Sequence, residues 1–218
     1  MIDDTIVKFQ SLDEDTWVSQ WECKRPGQRG RIYSMFSEEN NGINDWVYNP
    51  QYETIAGVDL GFTNPAVMLI AQVLPNDEVV VFDEFYKSGL TSPQFVHTEI
   101  IPRIKKYNIS SLYIDPSGAD EIEQLQQAGY SKIVCPADNS VDNGISIVRS
   151  FISSAMGAVR LRYVKKNMPN FHREMTYYHS PEDSDKPVKE DDHCPDAIRY
   201  MLYNRFSAKK KRKFGASS

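Results

Sequence analysis

Between residues 54 and 86 the chain runs three times into an apolar stretch and leaves it through a short polar turn. Residues 54–59, 66–73 and 78–86 have strand length and are rich in Val, Ile, Leu and Phe. Leu74-Pro-Asn-Asp77 supplies turn chemistry between the last two. This spacing predicts a β-meander. Beyond it, helical and strand patterns alternate. Residues 92–106 have helical periodicity, with Ser92 as cap and Pro93 at the first helical position. Residues 112–115 form a short apolar strand, and 119–128 a helix closed by Gly129. Residues 132–135 and 159–163 read as strands, and 141–156 and 169–178 as helices. A polar loop over 180–192, containing Pro181 and Pro187, precedes a last helix over 193–206. A meander followed by βα units predicts an α/β fold with a mixed sheet flanked by helices.

The stretch before residue 53 is less patterned. Ser11-Leu-Asp-Glu-Asp-Thr-Trp17 has capping residues and early acids, which predict a short helix. Residues 31–36 read as a strand and Asn40-Asn-Gly42 as a turn. The expected organisation is a lead-in over 1–52, a folded domain over 53–206, and a solvated, disordered basic tail over 207–218. Trp17, Trp21, Tyr177 and Tyr178 read as packing residues.

Composition excludes several classes. No apolar run approaches the ~18 residues needed to span a bilayer, so no membrane partner is expected. The acidic Met1-Ile-Asp-Asp-Thr5 is unlike a signal peptide. Three cysteines without a CxxC pair point to a reducing compartment rather than a disulfide framework. The net charge of −5 hides an asymmetry, because Lys209-Lys-Lys-Arg-Lys213 holds five of the 25 basic residues and none of the 30 acidic ones. An acidic body argues against tight, sequence-independent binding of nucleic acid by charge alone. It permits an enzyme that meets DNA through bound metal and a local basic rim.

Three aspartates carry the chemistry. Asp59 ends the first strand in Gly57-Val-Asp-Leu-Gly61, and Asp115 ends a later one in Leu112-Tyr-Ile-Asp-Pro116. Asp196 lies in the first turn of the last helix, in His193-Cys-Pro-Asp-Ala-Ile-Arg-Tyr200. Sites on open α/β sheets gather at strand ends, and short-stemmed carboxylates suit Mg²⁺ or Mn²⁺. Asp192 and His193 precede Asp196 by four and three residues, so all three can share a helix face. Two ions about 3.5–4 Å apart could clamp the attacking and leaving oxygens of a phosphodiester. Asp192 is open to a second reading as a helix cap, and His193 to one as a solvated helix start. Asp59 and Asp115, taken singly, are also ordinary turn formers.

Together these motifs resemble the nuclease domain of tailed-phage terminase large subunits, a ribonuclease H-like family, over roughly residues 54–206. The resemblance implies a metal-dependent endonuclease that cuts concatemeric viral DNA during packaging in the cytoplasm of an infected bacterium. It implies Asp59, Asp115 and Asp196 as ligands to two Mg²⁺ or Mn²⁺ ions, His193 as a metal-site histidine and Asp192 as an additional acid. Double-stranded DNA, an ATPase motor domain, the portal protein and the small terminase subunit are the implied partners. The chain contains no GxxxxGK[ST] loop, so the resemblance extends to the nuclease half alone.

Two other readings remain open. A Holliday-junction resolvase or transposase-like enzyme would share fold and metals. An actin-like ATPase would use Asp59-Leu-Gly-Phe-Thr63 as a phosphate loop, but needs a second such loop. His172, His179, His193 and Cys194 lack zinc-site spacing. Lys165 and Lys166, with Arg160 and Arg162, could rim a DNA groove, and Lys186 and Lys189 could touch its backbone.

Overall fold

The computed structural model describes residues 30–181 and 186–214. The helix expected over 11–17, with Trp17 and Trp21, lies outside them. Among the described residues, seven strands form one mixed sheet in the order β1-β7-β4-β3-β2-β5-β6. They are β1 (Gly42–Ile43), β2 (Glu53–Asp59), β3 (Ala66–Val73), β4 (Val79–Lys87), β5 (Ser111–Ile114), β6 (Val134–Pro136) and β7 (Leu161–Val164). The β2-β3-β4 meander pairs antiparallel, and every other neighbour pairs parallel. Only β3 therefore opposes the rest, and the other six strands end along one edge of the sheet. The turn into β4 forms as its residues predict, with the Leu74 N–H donating to the Glu78 carbonyl at 2.8 Å. Asp77 takes the left-handed conformation there, at φ 63, which Asp tolerates better than most residues.

All eight residues of β3 are buried, as expected for a central strand covered on both faces. Side-chain alternation divides the core in two. Ile55, Val67, Leu69, Tyr113 and Tyr163 face one layer. Ala56, Val58, Met68, Ile70, Leu112 and Ile114 face the other.

Among the described residues the helices are α1 (Glu38–Asn41), α2 (Ser92–Gln94, Phe95–Ile100 and Ile101–Tyr107), α3 (Ala119–Leu125 with Gln126–Tyr130), α4 (Val141–Ile152), α5 (Pro169–Tyr177) and α6 (His193–Phe214). Helix α2 is one rod in three pieces: Ser92–Gln94, a widened π stretch Phe95–Ile100, and Ile101–Tyr107. The widened stretch accommodates Pro102, which has no N–H to give to the preceding turn. Its cap is Thr91 rather than Ser92, with the Thr91 N–H donating to Gln94 Oε1 at 3.0 Å. Helix α3 runs Ala119–Leu125 and continues through Gln126–Tyr130, ending as expected around Gly129 at φ 93. Helices α2 and α3 supply Phe95, Val96, Ile100, Ile104 and Leu125 to the second layer. Helices α4, α5 and α6 cover the first.

Further expectations change. Residues 31–36 form turns rather than a strand: Arg31 makes one isolated bridge to His179, and the Phe36 N–H closes a turn onto the Tyr33 carbonyl. Their apolar side chains still reach the core, where Ile32, Tyr33 and Phe36 are buried. Residue 53 is not the edge of the packed structure, since β1 pairs with β7 and Asn41 donates to the Ile152 and Leu161 carbonyls. Helix α4 stops at Ile152, where the Ser154 hydroxyl takes the Ala158 N–H and Gly157 turns at φ 72. Helix α6 continues past residue 206 to Phe214 and takes the basic run into its last turns. Lysine and arginine are good helix formers, and cations are favoured at a helix C-terminus. Of the expected packing aromatics, Tyr178 is buried and Tyr177 is exposed.

Candidate active site

The site begins at a glycine. A Cβ on Gly57 would lie 2.1 Å from the Ala197 carbonyl oxygen. Only a residue without a side chain lets the backbone of α6 press this closely on β2. Two residues further along the same face stands Asp59, at the C-terminal end of β2. Asp115 follows β5, the parallel neighbour of β2, and its N–H donates to the Val58 carbonyl at 3.1 Å. It has the parity of Tyr113, which faces the α6 layer. Asp196, next to Ala197 in sequence, sits on the helix laid across both strand ends.

Helix α6 supplies a partner to each acid. His193 Nδ1 lies 3.0 Å from Asp59 Oδ2. The Tyr200 hydroxyl donates to Asp115 Oδ2 at 3.3 Å. Arg199 Nη2 donates to Asp196 Oδ1 at 2.8 Å. Asp115 Oδ1 also accepts the Ser117 N–H at 2.8 Å, so the turn-forming role holds beside any other. The backbone carbonyl of Asp192 accepts the Asp196 N–H at 2.8 Å, while its side chain turns toward Lys189. Lys189 Nζ lies 3.1 Å from Asp192 Oδ2 and 3.4 Å from Asp196 Oδ2.

These carboxylates are sheltered: Asp59, Asp192 and Asp196 are 7%, 7% and 6% exposed. Burial pushes Asp59 up to about 6 from 3.8, against the hydrogen bond of His193, and the charges of Asp196 and Asp115 push the same way. His193 is raised by its bond to Asp59, against its own burial. The charges of Asp196 and Asp115 felt at Asp59 are the electrostatic mark of acids brought near one another.

Below them lies a carboxylate that the sequence reading missed. Glu174 of α5 is fully buried. One oxygen accepts the Tyr86 hydroxyl of β4 at 2.5 Å, and the other accepts the Cys194 N–H at 2.7 Å. A negative group at the first turn of a helix satisfies an orphan donor and complements the macrodipole. Glu174 thus pins the start of α6 to the sheet. Arg199 and Tyr200 were visible only as parts of a motif. Their spacing of three and four residues from Asp196 is the signal that places them on its side of the helix.

The basic residues disperse. Lys165 and Lys166 lie in the turn Lys165–Asn167 after β7, on the same sheet edge as Asp59 but three inter-strand steps away, roughly 14 Å. They pair with Glu38 and Asp45. Arg160 lies 3.9 Å from the Phe151 ring centre, and Arg162 donates to the Asn40 carbonyl. Lys186 is exposed in the loop before α6. Of the four lysines expected on DNA, Lys189 is the one that reaches the acids. Cys194 is buried, and His172 bonds the Tyr163 hydroxyl at 2.7 Å, so neither joins His193.

Among the described residues, no three His, Cys, Asp or Glu side chains close into a ready-made metal cage. Asp59 instead turns one oxygen to His193, and both oxygens of Asp115 and of Asp196 meet protein donors. The donor set still suits a hard divalent cation: all-oxygen, with an ammonium shared between two carboxylates. Asp192 Oδ2 is buried without a well-formed hydrogen bond, although Lys189 is near.

No family model and no curated protein matches the chain. Solved structures do. The large terminase of a thermophilic bacteriophage superimposes with a TM-score of 0.74 at 23% identity, over 92% of this chain and 52% of that one. The P22 large terminase nuclease domain gives 0.64 at 23% identity, over 81% of this chain and 93% of its own. The SPP1 large terminase nuclease domain with bound Mn gives 0.56 at 18% identity, over 77% and 97%. The chain therefore spans about half the length of the thermophilic phage protein, and its fold is the ribonuclease H-like fold of terminase nuclease domains.

Proposed function

We propose that this chain is the nuclease part of a phage DNA-packaging terminase, cutting double-stranded DNA with the help of two Mg²⁺ or Mn²⁺ ions. One observation carries the reading. Asp59 and Asp115 end neighbouring parallel strands, and α6 brings Asp196 across them because Gly57 lets it approach. The SPP1 domain, which shares the fold, carries bound Mn, and that supports a divalent ion in this reading.

In this reading Asp59, Asp115 and Asp196 hold the ions, and Asp192 adds a fourth carboxylate. Such ions, when bound, supply charge stabilisation for the phosphate and a nucleophile at neutral pH. His193 holds Asp59 in place through Nδ1 and can take or give a proton beside the reacting phosphate. Arg199 and Tyr200 fix the other two aspartates. Glu174 holds the helix that carries these groups. Lys165, Lys166, Lys186 and Lys189 would meet DNA phosphates along the sheet edge, without reading sequence. The ATPase motor, portal protein and small subunit would present the DNA, in the cytoplasm of the infected host.

Plasmid cleavage tests this. Supercoiled DNA should be nicked and then linearised with Mn²⁺ or Mg²⁺, and left intact in EDTA. Equal cutting in EDTA would remove the metal from the mechanism. A strong preference for a four-way junction over linear duplex would move the enzyme to the resolvases.

A further inference from the structure

The most enclosed basic side chain among the described residues is the one that holds Asp196. Arg199 is 2% exposed. Its Nη2 donates to Asp196 Oδ1 at 2.8 Å, and its Nη1 donates to the Asn139 and Ser140 carbonyls at 2.7 and 3.4 Å. The guanidinium lies 4.8 Å from the Tyr200 ring centre. Its Nε finds no hydrogen-bond partner. Burying such a group is costly unless its partners are well placed. The fold accepts a second cost for it. Gly144 stands inside α4, where glycine loses about 1 kcal/mol against alanine. A Cβ there would lie 2.4 Å from Arg199 Cγ and 2.6 Å from Cδ. Gly144 is the slot through which the arginine stem passes.

The two oxygens of Asp196 are thereby made unequal. Oδ1 is held from inside the protein by a guanidinium anchored to the segment that opens α4. Oδ2 is met by Lys189, whose side chain is 70% exposed and reaches in from solvent. An arginine fork tied to backbone carbonyls has one geometry, whereas an exposed lysine can leave.

We infer that Arg199 is a positioning residue that fixes Asp196 as a one-oxygen metal ligand, with Gly144 as its socket and Lys189 as the displaceable cation on the other oxygen. This rests on the reading of Asp196 as a ligand to a divalent ion. Arg199 acts through Asp196 and touches neither metal nor DNA. Partners of this kind typically change metal affinity about 10- to 100-fold when altered.

Arg199→Lys isolates the geometry, because it keeps the charge but cannot span Asp196 and the Asn139 carbonyl at once. Mn²⁺ binding to the whole chain is measured by calorimetry, alongside thermal melting in EDTA and cleavage as a function of Mn²⁺. The expected result is a dissociation constant raised about 10- to 100-fold, with cleavage recovering at saturating Mn²⁺. Gly144→Ala, which crowds the same stem, should raise it too, and the double variant should be no worse than the weaker single one. It carries the test if Arg199→Lys does not fold. A purely structural arginine would lower the melting temperature and leave Mn²⁺ affinity unchanged in both variants, which overturns the inference. Absence of Mn²⁺ binding by the unaltered chain overturns the metal reading itself, and this inference with it.

Discussion

Asp59→Asn should disable the enzyme and stabilise the protein. The residue is 7% exposed, and its carboxyl is pushed up to about 6 from 3.8, chiefly by burial. The unfolded chain therefore ionises Asp59 first, and the fold gives up stability as pH rises between those values. Below about pH 4 the cost is absent, and above about pH 6 it is complete. The difference corresponds to roughly 3 kcal/mol at about 1.4 kcal/mol per pH unit. Asparagine keeps the shape and an acceptor for His193 but removes the buried charge. For a domain of this size, that gain is worth about 6–12 °C of melting temperature. The assay is thermal melting in EDTA at about pH 8 and about pH 4. Asp59→Asn should melt higher at the first and match the unaltered protein at the second. Saturating Mn²⁺ should raise the unaltered protein by roughly 3 kcal/mol at a hundredfold excess over its dissociation constant, and leave the variant where it was. A variant that melts no higher at pH 8, or gains equally at both pH values, would refute the burial argument.

The other acids should behave differently, for reasons visible in their partners. Asp196→Asn should abolish cleavage but destabilise the chain by about 3 kcal/mol, because it leaves the enclosed Arg199 without its counter-charge; urea unfolding measures it. Glu174→Ala removes the acceptor of three hydrogen bonds, from Tyr86, Arg173 and Cys194, and should cost about 3 kcal/mol or more, with cleavage falling as the start of α6 loosens. A variant melting within a degree of the parent would contradict that anchor. Lys189→Ala should let cleavage begin at a lower Mn²⁺ concentration, since the ammonium between Asp192 and Asp196 competes for the same oxygens. An unchanged metal titration would show that it does not.

What could be read in advance follows how local each determinant is. The β2-β3-β4 meander is written in consecutive residues: apolar runs of strand length, and a Pro-Asn-Asp turn whose chemistry acts over four positions. The acids were legible because each ends an apolar run or opens a helix. Residues 31–36 have the same apolar character as a strand, yet they form turns, because Ile32, Tyr33 and Phe36 are drawn into the core by distant α4 and α5. Strand β1 has two residues, too few for any periodicity, and exists because β7 offers an edge. The supports of the site were the least legible. Glu174 lies 20 residues before the Cys194 N–H that it accepts, and Arg199 reaches carbonyls about 60 residues away. Gly144 left a local trace as a glycine inside a helical pattern, and Arg199 and Tyr200 left one in their spacing from Asp196.

The most direct test of the account is where manganese sits. Crystals of the protein soaked in Mn²⁺ and measured at its absorption edge should show anomalous scattering among the carboxylates of Asp59, Asp115 and Asp196. Lys189 should be displaced from Asp196 Oδ2, and the Arg199 bond to Oδ1 retained. Manganese bound elsewhere, with these three aspartates still turned to His193, Tyr200 and Lys189, would contradict it.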